Sequence, residues 1–336
     1  MADLQIIPSA ILRWLKTRLI APASLILAFC AVALTACNAN KRPGLRPLAN
    51  PSDTTEAGSP TTLVTESPTP APVWDVIAVG DVASCVSQGD EQTASLVDGL
   101  PGEILLLGDL AYDRGSHQEF ADCYNPSWGR HKERTRPAPG NHEYGTREAA
   151  GYFGYFGERA GQRGQVWYSF GVGGWRVIAL NSNCGAVGCR EGSNQERWLR
   201  EELKAHPAPC TMAFWHHPRF SSGTTHGGYE RVGPLWNALY EAGAEVILSG
   251  HEHNYERFAP LDPAGNPDGQ RGIRQFIVGT GGRSLYAFGE GRPGSESRFA
   301  DTFGVLTLSL RHSSYSWRFV PVTPDGPKDS GEGVCH

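Results

Sequence analysis

Five short segments of this chain are rich in side chains that bind metal ions. They supply aspartate carboxylates, a tyrosine phenol, an asparagine amide and several histidine imidazoles, which is enough to hold two ions. The segments are 80–81, 108–112, 140–143, 215–218 and 250–253. Two adjacent cations can stabilise both the attacking and the leaving oxygen of a phosphoryl transfer. The residue types therefore predict a two-metal site that acts on phosphate esters.

Apolar runs precede four of the five segments, and we expect these runs to position the ligands. The runs are 76–79, 104–107, 212–215 and 246–248. Short apolar runs bounded by glycine predict buried strands, and α/β proteins bind ligands beyond the C-terminal ends of such strands. Asn141 instead follows the sequence Pro-Ala-Pro-Gly and is expected on a loop.

Further strands and two helices complete an α/β (α+β) prediction. Apolar and alternating patterns predict strands at 167–170, 175–181, 275–278, 303–310 and 315–320. A capping box of Ser193 and Glu196 predicts a helix that runs to about Lys204. A second helix is predicted from Leu235 to Ala242, ending at Gly243.

The order of the five segments resembles that of the calcineurin-like metallophosphoesterases, and within them the purple acid phosphatases. This resemblance covers about residues 73–320 and implies a β-sandwich core flanked by helices. It also implies two metal ions that share Asp109 as a bridge. One ion would be held by Asp81, Asp109, Tyr112 and His253, and the other by Asp109, Asn141, His216 and His251.

The ligand types indicate which metals fit. Tyr112 lies three residues beyond Asp109, a spacing that resembles the purple enzymes and implies Fe(III) in the first site. The second site has only neutral ligands beyond the bridge and suits a divalent ion such as zinc, manganese or iron. The alternative is that Tyr112 does not bind the metal and only packs against the residues that do.

The resemblance also assigns contacts with the substrate. His142, which is not a ligand, would bind the phosphate or protonate the leaving group, and Asn141 would bind the substrate as well as a metal. His226 follows His216 by ten residues, as a substrate histidine does in purple acid phosphatases, although some of those enzymes carry two adjacent histidines there. His217 has two open interpretations, a substrate contact or a part of the scaffold.

These expectations favour a phosphatase that hydrolyses phosphomonoesters by attack of a metal-bound hydroxide. A phosphodiesterase with the same metals is the close alternative. A metal- or phosphate-binding surface lipoprotein without turnover is the alternative from another class. His142 distinguishes them, because a binding protein needs metal ligands but no proton donor beside them.

The first 36 residues read as a lipoprotein signal peptide. Arg13, Lys16 and Arg18 precede an apolar stretch, and the sequence Leu-Thr-Ala-Cys that ends at Cys37 resembles a bacterial lipobox. Cleavage before Cys37 would leave an extracytoplasmic protein held to the membrane by lipid on that sulfur. An uncleaved N-terminal anchor is the alternative.

The rest of the chain divides into a linker, a catalytic domain and a tail. Residues 37–72 are rich in Pro, Thr and Ser and read as a disordered linker. The catalytic domain is predicted at 73–322 and a C-terminal tail at 323–336. The formal net charge of -5 and the lack of a basic stripe argue against nucleic-acid binding. No obligate protein partner is evident.

Six cysteines remain after Cys30 and Cys37 are set aside. An exported domain makes disulfides the expected state, with free buried thiols as the alternative. Cys184 and Cys189 are close enough to close a small loop, and Cys85 and Cys123 each follow a ligand segment. Cys210 and Cys335 would then pair by elimination.

We predict that Cys37→Ser releases the protein from membranes or blocks its processing, because the mutant lacks the sulfur that would carry the lipid. Membrane fractionation and intact mass, with Cys30→Ser as the matched control, provide the measurement. Equal membrane retention and an unchanged mass in the Cys37 mutant would contradict the lipoprotein interpretation.

Overall fold

The computed structural model describes residues 72–336. The predicted signal peptide and the predicted linker up to residue 71 lie outside the described residues. Within residues 72–336, strands form two sheets of six and seven strands. The strands are β1 Trp74–Val79, β2 Glu103–Leu107, β3 Thr135–Ala138, β4 Tyr168–Val172, β5 Trp175–Ala179, β6 Cys210–Phe214, β7 Val246–Ser249, β8 Tyr255–Leu261, β9 Ile273–Val278, β10 Ser295–Phe299, β11 Gly304–Arg311, β12 Ser314–Pro321 and β13 Ser330–Val334.

The two sheets pack face to face around the central core. The first sheet has the order β13-β12-β11-β1-β2-β3 and the second has the order β10-β8-β9-β7-β6-β5-β4. Side chains from both sheets, such as Leu105, Leu306, Phe214 and Phe276, share one buried cluster. Such continuous burial explains why the central strands read as unbroken apolar runs.

Helices cover the outer face of each sheet and bury two further apolar clusters. The α-helices of seven or more residues are Gly89–Asp98, Ala150–Phe156, Asn194–Ala205 and Gly233–Glu241. Short helical segments are His117–Glu119, Phe120–Tyr124, Asn125–Trp128, Gly129–Arg134, Glu143–Gly145, Arg147–Ala149, Gly157–Ala160 and Glu230–Val232. The layers confirm the predicted mixed α/β sandwich flanked by helices.

The helix predictions agree with the structure except at their ends. Ser193 caps its helix by accepting the N–H of Glu196, but the Glu196 carboxylate reaches back to the N–H of Gly192 and not to that of Ser193. The second helix begins at Gly233, earlier than Leu235, because Pro234 fits the first turn of a helix.

Asn141 lies in a turn, as predicted, and this turn follows a strand that the sequence patterns did not indicate. That strand, β3, pairs in parallel with β2. β3 is an edge strand, where a proline need not donate to a second neighbour. The sequence patterns did not indicate β8, β10 and β13 either. β13 lies within the segment 323–336, pairs with β12 and extends the first sheet.

Every cysteine of the described residues lies in a disulfide. The pairs are Cys85–Cys123, Cys184–Cys189 and Cys210–Cys335, as the sequence predicted. Within residues 72–336 there is no helix with the length and apolar character needed to cross a membrane.

Candidate metal centre

The predicted ligands converge where parallel strands of the two sheets end. Asp81, Asp109 and Asn141 follow β1, β2 and β3, while His216 follows β6 and His251 and His253 follow β7. Main-chain hydrogen bonds join the sheets here, since Gly80 N–H donates to the Val278 carbonyl at 2.9 Å. The predicted metal ligands therefore belong to the junction of the two sheets.

Three of these residues have left-handed backbone conformations. The φ angles are 61° at Asp81, 54° at Asp109 and 71° at His251. Such conformations cost a non-glycine residue about 1–3 kcal/mol each and cluster at functional sites. Neighbouring glycines let the backbone pass close to the two carboxylates. A Cβ atom at Gly140 would lie 2.0 Å from Asp109 Oδ1, and a Cβ atom at Gly250 would lie 2.5 Å from Asp81 Oδ2.

A first group of donor atoms surrounds the Tyr112 hydroxyl. Its oxygen lies 3.0 Å from Asp81 Oδ1, 3.3 Å from Asp109 Oδ2 and 3.1 Å from His253 Nε2. His253 Nε2 in turn lies 3.2 Å from Asp81 Oδ1. The hydroxyl thus points into the group of potential ligands, which favours the ligand role for Tyr112 over a packing role behind them.

A second group of donor atoms adjoins the first through Asp109. Asp109 Oδ2 lies 3.1 Å from His216 Nε2, which lies 3.1 Å from His251 Nδ1. Ligand atoms of Asp109, His216 and His251 all lie within 4.8 Å of one another. The same Asp109 oxygen therefore faces both groups, as a bridging ligand must.

Asn141 provides an independent test of whether a cation fits here. Its Oδ1 atom is buried and has no hydrogen-bond partner among the described residues. An unpaired buried polar atom costs about 1–3 kcal/mol, so native proteins rarely retain one without a reason. A cation bound beside Asp109 and His216 would satisfy this amide oxygen.

The pKa values of the cluster reflect its buried negative charge. Burial and the charges of Asp109 and Asp81 raise the pKa of Tyr112 well above its usual range. Burial acts to lower the pKa of His216, but the Asp109 carboxylate outweighs it and raises that pKa to about 9. Metal binding would replace the protons on these groups.

The profile of the calcineurin-like phosphoesterases matches residues 75–255, more than half of the chain. The chain belongs to this family. The matched region contains all the predicted metal ligands of both groups, from Asp81 to His253.

Relatives of this family member include purple acid phosphatases. Purple acid phosphatase 15 of Arabidopsis thaliana is 27% identical over 247 residues, which cover 61% of this chain and 45% of that protein. An uncharacterised protein of Mycobacterium tuberculosis is 27% identical over 244 residues, with the same coverage of 61% and 45%. The chain thus spans about half the length of the curated relatives it matches.

A solved structure supports the fold of this phosphoesterase-family chain. The purple acid phosphatase PPD1 from yellow lupin superposes with a TM-score of 0.62 at 20% sequence identity. The superposition covers 78% of this chain and 54% of the lupin protein. The family relatives and this superposition agree with the purple acid phosphatase resemblance inferred from the five segments.

Glu143 supports the ligand loops, a role that sequence analysis did not assign. Its buried carboxylate accepts the N–H groups of Asp109 at 2.9 Å, Gly140 at 2.7 Å and Leu110 at 2.8 Å. Burial, and then the Asp109 charge, raise the pKa of Glu143 to about 7. One side chain therefore joins the loops that follow β2 and β3.

His142 lies beside the donor groups but outside them. Its Nδ1 lies 2.5 Å from the Asp113 carbonyl oxygen, which fixes a proton on that nitrogen. Its Nε2 faces the cluster at 3.8 Å from Asp109 Oδ2. Glu119 holds the Asp113 loop by accepting the N–H groups of Asp113 at 2.6 Å and Ser116 at 2.8 Å.

His226 and His217 lie on the opposite side of the cluster, around His251. The exposed His226 ring stacks on His251 with centroids 4.2 Å apart. His217 is buried, with its Nδ1 2.8 Å from the Ser182 hydroxyl, and burial together with the His216 charge lowers its pKa to about 3. The contacts of His217 favour a role in the scaffold, whereas His226 faces solvent at the site.

Two further loops reach the site, and the sequence analysis predicted their strands but not their contribution. Asn183, after β5, donates its amide to the carbonyls of Pro139 and Gly140, both at 3.2 Å. After β9, Ser284 lies 2.8 Å from His253 Nδ1, and Tyr286 stacks on the His253 ring at 4.0 Å. The glycines that follow β9, at 279, 281 and 282, repeat the pattern of the ligand segments and could have indicated this loop.

We predict that Asn141→Leu leaves the metal-free protein at least as stable as wild type, because it removes an unsatisfied buried amide. Added zinc or manganese should raise its melting temperature less than that of wild type, because one ligand is lost. Thermal unfolding in EDTA and with added metal provides the measurement.

Asn183→Leu is the matched control, since it should lower metal-free stability by about 1–3 kcal/mol through the lost bonds to two buried carbonyls. If Asn141→Leu destabilised the metal-free protein to the same extent, Asn141 would have a structural role rather than a ligand role.

Proposed function

We propose that this protein is a binuclear metal-dependent phosphatase that hydrolyses phosphomonoesters. The observation that carries the proposal is the place of His142. Its Nε2 faces the donor groups at 3.8 Å from Asp109 Oδ2, while its Nδ1 is held by a main-chain carbonyl. A protein that only binds metal or phosphate does not need an oriented proton donor beside its ligands.

In the proposed site, Asp109 would bridge the two metals. Asp81, Tyr112 and His253 would complete the first site, and Asn141, His216 and His251 the second. Two cations held there would lower the pKa of a bound water and offset charge on the phosphoryl oxygens. Asp81 and Asp109 would be oriented by hydrogen bonds from the N–H groups of His251 at 2.8 Å and His142 at 2.9 Å.

The other site residues would bind and protonate the substrate. His226, on the His251 side, would donate a hydrogen bond to a phosphoryl oxygen. His142, as an imidazolium with protons on both ring nitrogens, would give its Nε2 proton to the leaving oxygen. A water oxygen forms the new bond to phosphorus as the bond to the leaving oxygen breaks. Monoesters are the proposed substrates because two cations match their two negative charges. Hydrolysis of diesters instead would identify the protein as a phosphodiesterase.

We further propose Fe(III) in the first site and a divalent zinc, manganese or iron ion in the second. The support is the Tyr112 hydroxyl, which lies within 3.3 Å of both aspartates and of His253. A phenolate is a ligand suited to a trivalent ion. The second group adds only neutral amide and imidazole donors to Asp109, which suits a divalent ion.

An extracytoplasmic location, with the membrane as partner through lipidated Cys37, remains our proposal for the full chain. Its support within the described residues is the set of three disulfides, since disulfides persist in oxidising compartments. The net charge of -5 supports the absence of a nucleic-acid partner.

We predict visible absorption from the aerobic protein by charge transfer from the Tyr112 phenolate to ferric iron. Tyr112→Phe should abolish this band and leave the fold intact, as judged by circular dichroism. Tyr144→Phe is the matched control, because the Tyr144 hydroxyl contacts Asn181 instead of the donor groups. A colourless wild-type protein with full activity and two divalent ions would exclude the ferric assignment.

We predict that His142→Ala keeps two bound metals and lowers turnover by about 10²–10⁴-fold, the usual contribution of one general acid or base. The loss should be largest for alkyl phosphates and smaller for nitrophenyl phosphate, whose leaving group needs no proton. Asp109→Asn should instead weaken both metals and abolish activity. Steady-state rates with mono- and diesters and metal analysis provide the measurements.

Two outcomes would overturn parts of this proposal. Loss of metal from His142→Ala would make His142 a ligand and invalidate the ligand assignment. A wild-type protein with two metals that hydrolyses neither mono- nor diesters would leave the binding lipoprotein as the explanation.

A further inference from the structure

An arginine outside the five segments lies beside the residues proposed to hold the first metal. Arg283 follows β9, and its N–H donates to the Asp81 carbonyl oxygen at 3.1 Å. Its guanidinium lies 5.2 Å from the centroid of the Tyr112 ring. The neighbouring Ser284 contacts His253 at 2.8 Å. Arg283 is therefore attached to the residues proposed as ligands of the first metal.

Arg283 and His142 both contact Tyr112 and Asp113. The His142 ring lies 4.4 Å from the Tyr112 ring that Arg283 also contacts. Asp113 joins the same two side chains, with its carbonyl oxygen at 2.5 Å from His142 Nδ1 and its Oδ1 at 3.0 Å from Arg283 Nη2. A leaving group placed to receive a proton from His142 would therefore lie beside the guanidinium.

The guanidinium is positioned and still available to a ligand. Its side chain is 28% exposed, whereas that of Asp113 is 68% exposed. Ion pairs in contact with solvent are weak, so an incoming anion can compete with Asp113. The bond to Asp113 uses one of the five N–H donors of a guanidinium, which can bind a carboxylate or phosphate through two parallel bonds.

We propose that Arg283 forms a subsite for a second anionic group, and that the preferred substrates are phosphomonoesters whose leaving group carries a carboxylate or phosphate near the ester oxygen. This proposal rests on the proposed phosphatase function. In the reaction the bond from phosphorus to the ester oxygen breaks and a water oxygen replaces it, with the water proton released to solvent. The departing oxygen takes the Nε2 proton of a His142 imidazolium, which becomes a neutral imidazole that keeps its Nδ1 proton. Arg283 takes no part in proton transfer and holds the charge of the leaving group.

A matched pair of substrates tests this subsite. 3-Carboxyphenyl phosphate and 3-carbamoylphenyl phosphate have nearly the same shape and differ by one negative charge. We expect wild-type protein to prefer the carboxylate by about tenfold in kcat/KM, as one charged hydrogen-bonded contact would give. Arg283→Gln should reduce this ratio to about one, whereas Arg283→Lys, which keeps the charge, should retain a preference.

Binding without turnover provides a second measurement. In 3-carboxybenzylphosphonate and 3-carbamoylbenzylphosphonate a methylene replaces the ester oxygen, so neither compound can be hydrolysed. Calorimetric titration of the metal-loaded protein should show the same preference of about tenfold for the carboxylate, and the preference should disappear in Arg283→Gln. Metal analysis of each variant checks that both ions stay bound.

Asp113→Asn separates a substrate contact from a purely structural ion pair. The variant keeps the main-chain carbonyl that holds His142 but removes the competing carboxylate, so the preference for the anionic compound should increase. If the ion pair only stabilised the loop, Asp113→Asn and Arg283→Gln would change the two compounds' affinities equally.

Arg298→Gln controls for the loss of one positive charge near the site. Its guanidinium contacts Phe288 and the Gly289 carbonyl, away from the proposed ligands, so the preference should stay at its wild-type value. Equal affinity of wild-type protein for the two phosphonates would overturn the subsite, whatever the turnover. Failure to hydrolyse any phosphate ester would instead overturn the proposed function, and the titration would still decide the subsite.

Discussion

The metal centre depends on a concentration of buried negative charge at the junction of two sheets. Asp81 and Asp109 are both inaccessible to solvent, or nearly so, at 0% and 1% exposure, and the Tyr112 hydroxyl lies within 3.3 Å of each. Unpaired buried charge is costly. Against the effect of burial, the Asp109 and Asp81 carboxylates raise the pKa of His216 to about 9. The buried negative charge and the unpaired Asn141 oxygen together indicate a site built for cations.

The surrounding structure keeps these groups close despite their mutual repulsion. Left-handed backbone at Asp81, Asp109 and His251 persists only where the surroundings fix it. Glu143 supplies one such constraint by accepting main-chain N–H groups of two ligand loops. The Cys85–Cys123 disulfide joins the segments that follow the Asp81 and Tyr112 loops. Ligands fixed in this way lose little entropy when a metal binds.

Sequence alone could predict the strands that lead to the ligands, because burial on both faces makes β1, β2, β6 and β7 continuous apolar runs. It missed β3, whose prolines are tolerated at a sheet edge. It also missed β8, β10 and β13, and the polar residues of β10 and β13 carry no apolar pattern. Through the resemblance it could propose roles for Asp109 and His142. It could not assign Glu143, Asn183 or Arg283, because their roles depend on contacts with residues that are distant in the chain. Glu143 binds the N–H of Asp109, 34 positions away, and Arg283 binds the carboxylate of Asp113, 170 positions away.

In our proposal, metal binding and recognition of the leaving group rest on different parts of the fold. Most of the proposed ligands follow central strands, where a change in backbone would disturb the core shared by both sheets, while Asn141 follows the edge strand β3. Arg283 and Asp113 instead lie on loops, and their side chains are 28% and 68% exposed. Under this proposal, substitutions on the loop that follows β9 would alter which leaving group is held beside His142 while Asp81 and Asp109 keep their positions. The main-chain carbonyl of Asp113 contacts His142 Nδ1, so it would orient the proposed proton donor whatever side chain stands at that position.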